Sequence, residues 1–339
     1  MEAQKINNTA QEIIEAIKNS KRVVTCMDAR FDYDSYCAIA VMRTALKSFG
    51  LEYEAYFDGI IPNVAKELVK EYEIKENFNP SSVDFSQYDL MIFLDTSTSN
   101  HINKEFTFVL PENIKKINID HHFSNSYYGN LNYVYSDESS TCTVLVKLFK
   151  EAGIIINGEQ EYNILIAMLL DTNFFQHNTT TPQDLRLTAD MWDRGLNYID
   201  LIRTLTFNDT LKNMKMRAIV FNNLRVDYDN KFAYSFITQG ELFKHDLKWE
   251  DITAPPADEL KRLSGVNFVF VVTELKTPGI YNLSMRSHEY SYSVSPIAEK
   301  FGGGGHRIAA GANIKANNIE EAINTVISMA RQVENETKK

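Results

Sequence analysis

Three short apolar stretches in the first half of the chain run straight into carboxylates. Residues 23–26 (VVTC) lead to Asp28, Asp32 and Asp34; residues 90–94 (LMIFL) lead to Asp95; residues 117–119 (INI) lead to Asp120, His121 and His122. Between them lie amphipathic patterns with helix punctuation. Thr9 to Glu12 reads as a capping box before Ile13, Ile14 and Ile17, residues 35–49 stop at Gly50, and residues 63–72 form a further helix after a strand at 53–57. Alternating strands and helices favour a largely parallel sheet covered by helices, because parallel neighbours need a long crossover. Ligands of such sheets bind beyond the carboxyl ends of the strands, so the three acidic loops are expected to converge in one crevice. A fourth carboxylate, Asp171, follows the apolar residues 164–170.

From 139 to 217 the pattern is mostly helical, with breaks near Gly153, Pro182 and Gly195. Strands return at 231–237, 266–274 and 281–285, followed by the glycine run 302–305 and a closing helix at 318–333. The expected fold class is α/β: an N-terminal parallel sheet with helices on both faces, plus a smaller C-terminal α+β domain. We place the first domain at 1–196, a helical linker at 197–230 and the second domain at 231–339. A length of 339 residues accommodates two domains at about 100–200 residues each.

Composition narrows the function classes. With 44% hydrophobic and 24% charged residues the chain can bury cores and is not disordered as a whole. Its longest apolar runs are too short to span a bilayer, and the N-terminus has no continuous apolar stretch, so no membrane partner and a cytoplasmic location are expected. Cys26, Cys37 and Cys142 are too few and scattered for a disulfide framework. A net charge of −10 argues against long duplex nucleic acid, where many phosphates must be neutralised, but leaves room for a short nucleotide if a metal supplies the positive charge.

Carboxylates crowded into one crevice repel one another unless cations neutralise them. Aspartate and histidine donors suit Mn²⁺ best, with Mg²⁺ the alternative and zinc less favoured. Two such ions about 3.5–4 Å apart activate water and clamp a phosphoryl group. Blander readings compete: a lone aspartate after a strand commonly caps a helix or turn, and Asp32 with Asp34 could cap the helix at Ser35. Asp-His-His is harder to dismiss, because chance produces it in roughly one chain per hundred of this length.

These residues carry a family resemblance. IDHHFSN (119–125) resembles the signature of the DHH phosphoesterase superfamily, and VVTCMDARFDYDSYCAIAV (23–41) resembles its first motif, His-x-x-x-Asp-x-Asp. LDTS (94–97), SSTCTVLVKLF (139–149) and LLDTNFF (169–175) are similar to its later motifs, in family order. SMRS (284–287) and FGGGGHRIAAGA (301–312) resemble the substrate-binding C-terminal domain of many members. Size and both domains are most similar to the bacterial nanoRNases, bifunctional oligoribonucleases and phosphoadenosine-phosphate phosphatases.

The resemblance implies one metal held by Asp34, Asp95, His121 and Asp171, and another by Asp28, Asp32 and Asp95, with Asp95 bridging. It implies that His122 faces the substrate phosphate, that Asp120 orients the neighbouring imidazole, and that Arg286, Gly303, Gly304, Gly305 and His306 bind the rest of the nucleotide. The glycine run is read as an anion-binding loop at a helix N-terminus, with IAAGA opening the helix. Three positions depart from the family pattern. Asp28 stands in place of the first-motif histidine, Asn173 replaces the glycine after Asp-Thr, and Tyr36–Cys37 replace small residues; the last two are expected to narrow the pocket. The remaining histidines receive no role.

The expected function is hydrolysis of very short oligoribonucleotides to mononucleotides, or of 3′-phosphoadenosine 5′-phosphate to AMP, by a water activated between two ions. The alternatives are a linear or cyclic dinucleotide phosphodiesterase, or a catalytically weakened nucleotide-binding protein because of Asp28. A symmetric homodimer is left open.

Overall fold

The computed structural model describes residues 6–69, 73–79, 82–207, 209–252, 255–287 and 292–337, with the side chains of 306 and 334–337 outside that description. Residues up to Arg203 form one compact unit and those from Thr204 a second.

The first unit runs α1 (Ala10–Lys18), β1 (Arg22–Cys26), α2 (Tyr33–Ser48), β2 (Glu52–Tyr56), α3 (Asn63–Val69), β3 (Ile74–Lys75), β4 (Leu90–Leu94), β5 (Lys115–Asp120), β6 (Leu131–Val134), α4 (Thr141–Glu151), α5 (Gly158–Asp171), α6 (Pro182–Asp193) and α7 (Tyr198–Thr206). All six strands are parallel, in the order β3-β2-β1-β4-β5-β6. The central strand β4 reads as a continuous apolar run because the sheet is buried on both faces there: every residue of β4 is buried. Helices α1, α2 and α4 pack on it. The face bearing Val24, Cys26, Met91 and Phe93 packs against Phe78, Ile102, Phe108 and Ile114, from a stretch containing the 3-10 turns Phe85–Gln87 and Ser99–Ile102.

Strand order reverses between β1 and β4. The chain leaves β1 towards β2 and leaves β4 towards β5, so the loops after β1 and β4 diverge and open a crevice at their carboxyl ends. The sheet therefore delivers the first two acidic loops to its switch point, and β5 brings the third alongside.

The second unit comprises α8 (Leu211–Asn222), β7 (Arg225–Asp227), β8 (Phe232–Ile237), α9 (Gln239–Lys244), β9 (Phe268–Glu274), β10 (Ile280–Ser287), α10 (Ser295–Lys300), β11 (Gly304–His306), β12 (Ala309–Lys315) and α11 (Ile319–Thr337). Its mixed sheet has the order β11-β12-β10-β9-β8-β7, and β8 with β9 is the parallel pair. Alternate residues of β9 point to opposite cores: Phe268, Phe270 and Val272 meet Ile297, Val326 and Ala330, while Val269 and Val271 meet Met216, Ile219 and Val220 of α8. Among the described residues, no helix is long and apolar enough to cross a membrane.

Two sequence expectations change here. Residues 197–230 are not a separate linker: α8 buries Met216, Ile219 and Val220 in the second unit's core. The glycine run does not open a helix, because IAAGA lies in and just before β12, which pairs with β10 and β11. Gly302 instead closes α10 in a left-handed turn (φ +73°), with its N–H donated to the Glu299 carbonyl (2.9 Å) and that of Gly303 to Ala298 (3.0 Å). At Gly303 a Cβ would lie 2.1 Å from the Gly311 carbonyl oxygen, so only glycine lets the two backbones approach this closely.

Candidate metal centre

Each acidic loop is shaped by the element that carries it. Asp32 is the N-cap of α2, its Oδ1 accepting the Ser35 N–H at 2.8 Å, so the capping reading of this residue holds. Asp34, in the first turn of α2, is turned towards the N-terminus of α4. Its oxygens accept the N–H groups of Thr141 (2.6 Å) and Cys142 (3.1 Å). Carboxylates are stabilised there by unpaired amides and the helix dipole, by about 0.3–1 kcal/mol or more when buried. Asp95 follows β4 in a left-handed conformation (φ +58°) and accepts the Thr141 hydroxyl at 2.9 Å. Asp171 ends α5, where a negative charge opposes the dipole and the last turn carries no basic residue. After it, Asn173, Phe174 and Phe175 have consecutive positive φ angles of 46°, 58° and 63°. Each left-handed residue costs about 1–2 kcal/mol, which explains why glycine suits the Asn173 position and why asparagine is a tolerated replacement.

The His121 imidazole gathers these carboxylates. Its Nε2 lies 3.5 Å from Asp95, 3.5 Å from Asp171 and 3.8 Å from Asp34. Ligand atoms of Asp34, His121 and Asp171, and separately of Asp95, His121 and His122, lie within 4.8 Å of one another. Burial holds the His121 pKa below its ordinary value, which favours the neutral imidazole that ligates metals. Burial first, and neighbouring carboxylates second, push Asp171 up to about 8 and Asp95 well above the carboxylate range. This set of oxygen donors, Asp34 and Asp95 buried and Asp171 partly exposed, with one neutral nitrogen matches a hard divalent cation.

His122 has a different environment. Its Nδ1 lies 2.7 Å from Asp120 Oδ1, and the Asp120 carboxylate also accepts the His121 N–H (2.8 Å) and the Asn125 amide (2.6 Å). Burial lowers the His122 pKa, but the Asp120 hydrogen bond and surrounding carboxylates outweigh it and bring it to about 9. Asp120 is likewise pushed up by burial and pulled below the usual range by His122. The pair is therefore imidazolium and carboxylate at neutral pH, with His122 half-exposed (45%).

Residues 22–172 match the DHH family, N-terminal domain, and residues 229–332 match the DHHA1 domain. The chain thus carries a DHH N-terminal domain followed by a DHHA1 domain. The bifunctional oligoribonuclease and PAP phosphatase NrnA of Thermus thermophilus is 25% identical over 324 residues, covering 95% of this chain and 92% of that protein. NrnA of Bacillus subtilis is 26% identical over 247 residues, covering 70% and 74%. An exopolyphosphatase-related protein from Bacteroides fragilis has the same fold, with a TM-score of 0.81 over 97% of both chains at 19% identity.

The remaining expected site residues lie in and beyond the DHH domain. Asp28 is buried in the loop after β1, and its carboxylate is engaged by Arg30, with Nε at 3.0 Å and Nη2 at 2.7 Å. Tyr36 and Cys37 are fully buried in α2 and pack in the core. Arg286, on β10 in the second unit, donates Nε to Asp258 at 2.8 Å, Nη2 to Asp258 at 3.1 Å and Nη1 to the Met285 carbonyl at 2.8 Å. Gly304, Ala309, Ala310 and Arg286 share a cavity of about 480 Å³ with Trp249. The backbone of His306 pairs with Ala309, and its side chain lies outside the described residues.

Sequence reading missed Thr141, Asn125, Arg30 and His101. Thr141 and Asn125 lie inside stretches that resemble family motifs, yet their role is to hold Asp34, Asp95 and Asp120 in place. His177, given no role, places Nδ1 3.0 Å from the Asp171 carbonyl.

Proposed function

We propose that this chain is a metal-dependent phosphoesterase that cuts very short oligoribonucleotides to mononucleotides or converts 3′-phosphoadenosine 5′-phosphate to AMP. The observation that carries the reading is His121 Nε2 lying within 4 Å of Asp34, Asp95 and Asp171 at the switch point of a parallel sheet. A divalent ion held by these four side chains, Mn²⁺ by preference, would supply positive charge for the phosphate and lower the pKa of an attacking water. Asp120 keeps His122 protonated and oriented, leaving Nε2–H for a phosphate oxygen. Thr141 and the α4 amides fix Asp34 and Asp95. Similarity to NrnA proteins supports the substrate class.

The test is a Mn²⁺-supplemented turnover assay comparing a 5′-labelled RNA dinucleotide, a five-residue RNA, 3′-phosphoadenosine 5′-phosphate and a cyclic dinucleotide. Mononucleotide or phosphate release that a chelator abolishes is expected. Nucleotide binding without turnover would contradict the reading and leave a binding protein. Arg286 is assigned to nucleotide binding by the second unit, through the guanidinium N–H groups that Asp258 and the Met285 carbonyl do not take. Arg286→Ala should raise KM about tenfold while kcat changes little, the signature of lost ground-state binding; a pure kcat loss would contradict that assignment.

Metal loading should also depend on pH. Asp171, with a pKa of about 8, holds a proton in the ion-free protein at neutral pH and must release it to ligate, and burial raises Asp95 in the same direction. Mn²⁺ affinity is therefore expected to strengthen from pH 6 to pH 8 and then level off. Because the raised pKa values let the native state hold more protons than the unfolded chain, stability of the ion-free protein should fall over the same interval. Calorimetric titration and melting curves in chelator check both; affinity flat from pH 6 to pH 8 would contradict the ligand assignment.

A further inference from the structure

Of the three residues expected to hold a second ion, Asp28 does not fit one. Asp28 is fully committed: Oδ1 accepts the Arg30 backbone N–H at 2.9 Å and Nε at 3.0 Å, while Oδ2 takes Nη2 at 2.7 Å. His101 Nδ1 completes the cluster, 2.9 Å from Arg30 Nη2 and 3.2 Å from Asp28 Oδ2. The cluster is braced from the backbone, where the Ala29 N–H is donated to the His101 carbonyl at 2.8 Å. Asp32 spends Oδ1 on the Ser35 N–H and hydroxyl, at 2.8 and 3.1 Å. Among the described residues, the groups whose donor atoms converge within ligand range draw on Asp34, Asp95, His121, His122 and Asp171, and on neither Asp28 nor Asp32.

The fork joining Arg30 to Asp28 is the strong, planar, charge-assisted kind, and it neutralises the carboxylate that would otherwise attract a cation. The guanidinium also stands in the electrostatic field of the centre, since the charges acting on it include Asp32 and Asp95 as well as Asp28. A fixed monocation there opposes entry of a dication beside it.

We infer that this centre is built for one divalent ion together with a guanidinium: Arg30, locked by Asp28 and His101, takes the place that a second ion needs. The aspartate that stands where the family motif has histidine is then the carboxylate that holds the Arg30 guanidinium. The inference rests on the metal-centre reading proposed above, and it adds that Arg30 brings permanent positive charge to the phosphate side of the centre without requiring a second equivalent of metal.

Mn²⁺ stoichiometry tests it without substrate. Equilibrium dialysis of the full chain with elemental analysis, together with electron paramagnetic resonance, is expected to give one Mn²⁺ per chain and the spectrum of an isolated ion. The double variant Asp28→His, Arg30→Ala is expected to bind two, with an exchange-coupled spectrum, and Asp28→His, Arg30→Gln serves as a second version should the first fold poorly. Two coupled ions in the unmodified chain would overturn the inference while leaving the phosphoesterase reading intact. A single ion in both folded double variants would overturn Arg30 as the occupant. No bound ion in the unmodified chain would overturn the metal-centre reading and this inference together.

Discussion

Asp95→Asn is expected to lower kcat/KM by about a thousandfold or more, and to raise the melting temperature of the ion-free protein. Asp95 reaches both imidazoles: its Oδ1 lies 3.5 Å from His121 Nε2 and 3.6 Å from His122 Nδ1. A thousandfold corresponds to about 4 kcal/mol of transition-state stabilisation, a magnitude expected when a central ligand's charge is removed from a buried site. The opposite sign for stability follows from the same burial. Asp95 is 4% exposed and crowded by Asp32, Asp34, Asp120 and Asp171, so an amide there relieves repulsion, and asparagine tolerates the left-handed backbone equally well. Steady-state kinetics and thermal melts in chelator read the two effects separately. Near-normal turnover would remove Asp95 from the centre, and a lower melting temperature would show that its charge is compensated within the protein itself.

The second large effect is expected at Asp120. It is fully buried and its three hydrogen-bond donors are the His121 N–H, His122 and Asn125, so its role is to hold other groups in position. Asp120→Asn should cost about 10–100-fold in kcat, the usual range for groups that orient metal ligands. The pH profile separates this from simple loosening. In the intact chain His122 stays protonated up to about pH 9, so the rate should fall only as pH rises through that value. Without the Asp120 charge the imidazolium is no longer favoured, and the alkaline limb should move down by one unit or more. A variant with the same loss in kcat and an unmoved profile would show that Asp120 acts through packing alone.

Much of the centre was legible in the sequence because its residues sit at fixed places relative to strong patterns. Buried parallel strands are continuous apolar runs, so the carboxylates after 23–26, 90–94 and 117–119 had to lie at one end of the sheet. What was not legible depends on contacts between distant residues. Asp34 meets the amides of Thr141 and Cys142, more than a hundred positions away, and His101 reaches the Asp28–Arg30 pair from a different loop. β12 was misread for another reason. Alanine-rich IAAGA has good helix propensity, but Ala310 and Ala312 pair across from Met285 and Leu283, and small residues are needed where Gly303 presses against Gly311. β6 (LNYV) was missed because its four residues include two polar or half-polar side chains and show no clean run.

The central claim is that the strand-end cluster of the first unit is a metal centre. Diffraction from crystals grown with Mn²⁺, measured at the manganese edge, tests it most directly. An anomalous peak bounded by Asp34, Asp95, His121 and Asp171 is the expected result. A peak elsewhere, or none at saturating Mn²⁺, would contradict the account.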